Sequence, residues 1–210
     1  MKAKKTKKNF SSFTTDEAFQ ELQLQQLKKW KVESQSFQVS AFFAEHLRRL
    51  DGFDLTSSES AKELLIDAFC QEALEQHPKI KIWKSATLQS DTLTGQVDYL
   101  VAPKMGYITQ PLLCVIEAKK DDFEAGLAQC LVEMKAARWK NEQAGKPIDI
   151  YGVVTNGGSW VFYKYAIDGQ VYETLPHAIA DQEKVLSLLS QVFAFCEANI
   201  TTFQVKAKAA

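Results

Sequence analysis

The run "PLLCVIEAKK", Pro111 to Lys120, constrains this chain more than any other stretch. From Pro111 to Ile116 it is apolar without interruption and of strand length, the pattern of a strand covered on both faces. It then ends in Glu117, Ala118, Lys119 and Lys120. Alternate residues of a strand share a face, so Glu117 and Lys119 project together and Ala118 points the other way. A carboxylate at the end of a buried strand is expensive unless something nearby offsets it. The fold must therefore cover a sheet on both sides and still keep charge at one end of its most apolar strand.

The flanking patterns supply that cover. Thr14 or Thr15 caps a helix expected to run to Trp30, with Lys28 and Lys29 in its last turn, and "SFQVSAFFAEHLRRL" reads as a second helix. Thr56 and Glu59 stand at capping-box spacing before a third helix using Leu64, Leu65, Ala68, Phe69 and Leu74. "KIKIWKS" and "QVDYLVA" alternate as strands around a turn at Thr92 to Gly95. After the apolar strand, Phe123, Leu127, Leu131 and Met134 form a helical stripe ended by Gly145. "IDIYGVVT" and "SWVFYKYA" flank the hairpin signal "NGG", and "DQEKVLSLLSQVFAFCEANI" closes the chain as an amphipathic helix. The order, helices, three strands, a helix, two strands and a helix, predicts an α/β (α+β) fold. A mixed central sheet is flanked by helices, with extra N-terminal helices.

With 210 residues, 46% hydrophobic and 24% charged, the chain can build one compact unit without staples. Residues 1–55 read as a basic tail and helices, and 56–210 as the α/β domain. A formal charge of −1 excludes a surface coated in basic residues, although five lysines among the first eight residues form a solvated basic arm. Cys70, Cys114, Cys130 and Cys196 show no CxxC or Cys/His spacing, which fits buried reduced thiols, a cytoplasmic setting and no zinc. No signal peptide or membrane span is expected. His46, His77 and His177 have no Ser or Cys partner pattern for a triad.

Asp98 lies in the strand before Glu117, and the short Pro103–Gln110 connection allows antiparallel pairing that sets the two acids side by side. Two carboxylates so placed repel, and Mg²⁺ or Mn²⁺, which accepts few protein oxygens and fills its octahedron with water or phosphate, relieves the repulsion. Lys119 beside them suits a phosphate oxygen or an attacking water, and the set suits phosphodiester hydrolysis.

"VDYLV…LLCVIEAKK" resembles the core of the PD-(D/E)xK nuclease superfamily. The stretch from about Leu88 to Tyr165 is similar to the nuclease domain of type I restriction enzyme R subunits and related stand-alone proteins. The resemblance implies a restriction-endonuclease-like core, with Asp98 and Glu117 binding metal and the Ala118 carbonyl as a further ligand. It also implies Lys119 and Gln129 as catalytic-site residues, and DNA as substrate in restriction, repair or defence, with partner subunits of such a system or a homodimer. Val97 stands where that family often has proline, and Glu59, Glu63 and Glu72 compete for a helical glutamate role. Lys120, Lys135, Arg138 and Lys140 are candidate DNA-backbone contacts. The alternative is a nuclease-fold module of weak or lost activity that binds nucleic acid or protein, and a third reading is a structural subunit without metal affinity.

Overall fold

The computed structural model describes residues 6–55, 57–119 and 122–208, with the side chains of Glu59 and of residues after Thr201 outside that set. Its strands are β1 (Lys8–Asn9), β2 (Lys28–Lys29), β3 (Ile80–Gln89), β4 (Leu93–Pro103), β5 (Cys114–Ala118), β6 (Ile150–Thr155), β7 (Ser159–Tyr165), β8 (Val171–Glu173) and β9 (His177–Ala178). The helices are α1 (Thr15–Leu22), α2 (Ala41–Leu50), α3 (Glu59–Leu74), α4 (Phe123–Gln143) and α5 (Gln182–Lys208). Among the described residues they form one mixed nine-stranded sheet, ordered β1-β4-β5-β6-β7-β8-β2, with β3 added on β4 and β9 on β7.

β3, β4 and β5 form an antiparallel series, and β5 then pairs parallel with β6. A parallel neighbour requires a crossover, and α4 supplies it. β5 is buried at every position. One face carries α4 and α1, the other α3 and α5. Gly152 of β6 lies so close beneath α4 that a Cβ would sit 2.7 Å from Cys130 Sγ and 2.8 Å from Met134 Sδ. On the opposite face Trp160 is fully buried and packs on Phe69 with ring centroids 5.5 Å apart. Asn141 fixes the entry to β5, its Oδ1 accepting from Leu112 N–H and its Nδ2 donating to Leu112 C=O, both at 2.7 Å in a buried setting. All four cysteines are buried and unpaired.

Three local expectations change. The first helix stops at Leu22, where Gln23 takes a left-handed conformation, and Lys28 and Lys29 pair as a strand with Tyr172 and Glu173. A lysine-rich end suits a helix dipole locally, but an edge strand tolerates lysine equally well and the sheet offered a free edge. The third helix is capped by Ser58, whose side chain accepts from Ala61 N–H; Thr56 lies outside the described residues. Finally, α4 is buried around most of its circumference between Ala128 and Ala137, while Phe123 and Leu127 of the expected stripe are only partly covered. No helix among the described residues is long and apolar enough to cross a membrane.

Candidate functional site

The antiparallel β4–β5 ladder pairs Tyr99 with Ile116, Leu100 with Val115 and Val101 with Cys114. One further step in that register sets Asp98 opposite Glu117. The ladder stops there because the Asp98 carboxylate, at 2.8 Å, takes the Ala118 N–H that would otherwise look for a strand partner. On the other side of β4, pairing with β3 skips Asp98, and the facing Ser85 has a φ of 51°, a left-handed conformation uncommon outside glycine. Lower on the edge shared with β5, β4 pairs instead with β1, at Leu93 and Thr94. Among the described residues no strand pairs with Gly95 to Asp98 on that edge.

The opened edge is a cleft of about 570 Å³ lined by Asp98, Glu117, Ala118, Lys119 and Gln129, with Ser11, Thr87 and Gln96 among its neutral polar walls. The sequence-expected residues therefore converge. Glu117 is 0% exposed and Lys119 retains 20% of its side-chain surface. Lys119 Nζ lies 2.6 Å from Glu117 Oε1 and donates to Gln129 Oε1 at 3.1 Å. Its aliphatic stem crosses Gly126 of α4, where a Cβ would meet Lys119 Cγ at 2.9 Å and Val154 Cγ1 at 2.8 Å. Glycine at that helical position makes room for the lysine.

Burial is the main cause of the Glu117 carboxyl being pushed up to about 8, followed by repulsion from Asp98; the Lys119 ammonium opposes both. Ionising Glu117 would therefore set two carboxylates, Asp98 and Glu117, beside the single Lys119 ammonium. Behind Glu117 stands an acid the sequence reading missed. Glu133 is fully buried, one helical turn after Gln129, whose Nε2 donates to Glu133 Oε1 at 3.0 Å. Burial first, then repulsion from Glu117, drives its carboxyl well above the ordinary range. The i,i+4 spacing from Gln129 puts the two on one helix face and was the available signal. Apart from the Lys119 ion pair and the contact between the two carboxyls themselves, which tempers the Glu117 shift, neither Glu133 Oε2 nor the Glu117 oxygens have a hydrogen-bond donor.

That donor set tests the fit of a divalent cation. Among the described residues no group of three or more His, Cys, Asp or Glu is arranged to hold a metal. Mg²⁺ is commonly held by only one or two protein carboxylates, because it keeps several waters. Two adjoining carboxylates, one with a buried oxygen lacking any donor, are the chemistry it relieves, and the residues fit it.

Other sequence candidates are placed elsewhere. Glu63 ion-pairs with Lys84, and Glu72 caps α2 by accepting from Ser40 N–H and Oγ, so neither enters the cleft. Lys135 bonds to Glu21, and Arg138 to Glu142 and the carbonyls of Ala166 and Ile167, which gives both structural work. Lys120 lies outside the described residues. His77 does have a serine partner, Ser190 Oγ at 2.9 Å, with Glu197 3.5 Å from its other nitrogen. Ser190 lies inside α5, where backbone N–H groups are consumed by the helix, so the trio lacks oxyanion donors and reads as a brace between the α3–β3 connection and α5. Comparison with protein-family models and with curated proteins found no match to this chain.

Proposed function

We propose that the chain is a Mg²⁺- or Mn²⁺-dependent nuclease of the PD-(D/E)xK type, hydrolysing DNA phosphodiester bonds. The observation that carries this reading is the convergence of Asp98, Glu117, Lys119 and Gln129 in one cleft at an opened strand edge. Asp98, Glu117 and the Ala118 carbonyl would hold the cation, which when bound polarises a phosphate oxygen and lowers the pKa of an attacking water.

The chain's own residues do the rest. β4 and β5 fix the two carboxylates on rigid backbone, as a site needing sub-ångström placement requires. The Asp98 bond to Ala118 N–H orients the carboxylate and holds the strand end open. Lys119, kept at the cleft by Gln129 and Glu117, presents the site's ammonium to a phosphate oxygen or to the water. The polar, uncharged walls offer hydrogen bonds to a sugar-phosphate backbone without base-reading geometry.

The deciding experiment is metal-dependent degradation of linear, circular and single-stranded DNA by the wild type, Glu117→Gln and Lys119→Ala. Cleavage that needs metal and disappears in both variants supports the reading. No cleavage, together with no Glu117-dependent metal binding by calorimetry, overturns it for the isolated chain.

A further inference from the structure

Glu133 is an acid that nothing in the proposed chemistry uses, and it occupies an expensive position. A fully buried carboxyl group with one unpartnered oxygen is destabilising, and an apolar residue would pack α4 against β5 and β6 more cheaply. What Glu133 does hold is the Gln129 amide. A glutamine amide has two faces, and without a fixed partner it can turn either the oxygen or the nitrogen toward a neighbour. Here Nε2 is committed to Glu133 Oε1, so Oε1 is left facing Lys119 Nζ. Lys119 in turn lies against Glu117. The contacts run from Glu133 through Gln129 and Lys119 to Glu117, and because Glu133 also adjoins the Glu117 carboxyl the four side chains close a ring beside the cleft, with Glu133 its most buried member.

We propose that Glu133 is a positioning residue: by accepting from Gln129 Nε2 it orients the amide whose oxygen holds the Lys119 ammonium at the cleft. The inference rests on the nuclease reading for its purpose, but its geometry is testable without DNA or metal. The role asks only for a hydrogen-bond acceptor at the end of residue 133. Glutamine supplies one and leucine does not, whereas a metal-ligand role would demand the charge.

The test is the acylation rate of Lys119 by acetic anhydride in metal-free protein, followed by peptide mass spectrometry with Lys84 as internal reference. Glu133→Leu and Gln129→Leu should each raise the relative Lys119 rate about fivefold, while Glu133→Gln stays within about twofold of wild type. In a wild type that cuts DNA, Glu133→Leu should lower kcat with KM little changed, and Glu133→Gln should restore it. A Glu133→Leu protein that unfolds cooperatively yet labels at the wild-type rate overturns the proposal. So does a Glu133→Gln protein whose Lys119 labels as fast as in Glu133→Leu, because a hydrogen-bond acceptor at residue 133 would then not be what holds the amide. If the wild type cuts no DNA, the nuclease reading fails on that result alone, and the labelling ratios still decide the positioning role.

Discussion

A charge cluster lies on each face of the sheet beside β4, and the two behave differently. On the α3 face Lys84 reaches Glu63 and Asp67, each at 2.9 Å, and lies over the Tyr99 ring. All three charged side chains there keep more than a third of their surface in water. On the α4 face Lys119 faces Glu117 at a similar distance, but Glu117 is sealed from solvent, Asp98 repels it, and burial drives the adjoining Glu133 carboxyl toward its neutral form. Both clusters contain one lysine and at least two acids, so composition does not tell them apart. Burial does: water screens the first into an ordinary surface ion pair, and its exclusion leaves the second with charge that only a proton or a cation can balance.

The comparison can be broken most severely through activity. Glu117→Gln should reduce metal-dependent cleavage by about 10³-fold or more, while Asp67→Asn leaves it within about twofold, in single-turnover assays. Equal losses in both variants would show that the α4-face cluster has no special role.

The next largest effect is on stability against pH, measured without divalent metal. The Glu117 carboxyl is raised from 4.5 in the unfolded chain to about 8 in the fold, so between those values the folded state holds a proton that the unfolded state has released. Stability from this group is then fully present below about pH 4.5 and is lost as pH rises through about 8. The wild type should lose roughly 2–4 kcal/mol across that window relative to Glu117→Gln in urea unfolding. His77 works the other way, because burial lowers its imidazole and stability falls as pH drops through 6.5. Subtracting the variant's profile removes that contribution.

Gly126→Ala sharpens the contrast without touching a charge. The added methyl would press on the Lys119 stem and Val154, and displacement of the ammonium should lower kcat about tenfold with the fold retained. Cleavage kinetics beside circular dichroism checks it. Smallest of all, Lys84→Met should change stability by less than about 1 kcal/mol, and less again at 1 M salt.

Much of this was legible in the chain. The break from apolar to charged at Glu117, the alternation placing Lys119 on the same face, and Asp98 on a strand joined by a short connection predicted the β4–β5 pairing and its register. The hairpin at Asn156 to Gly158 followed from its turn residues, and the helices around Phe43, Phe69 and Val192 from local periodicity. Lys28 and Lys29 did not, because helix and edge strand accept lysine alike until the rest of the sheet shows which edge is free. Glu133 was legible only as a polar residue on a helix, since a spacing shared with Gln129 does not reveal that both faces of α4 are covered.

The sequence by itself determined the mixed α/β order and the acids and lysine that meet on one strand face, because strand alternation and helical period are properties of neighbours along the chain. Only the tertiary structure decided which charges lose their water. That depends on α4 closing over Glu117, on β1 and β5 leaving Gly95 to Asp98 open between them, and on α3 leaving Lys84 in solvent. Desolvation is a sum over groups distant in sequence, and it separates a sealed charge cluster from a surface ion pair.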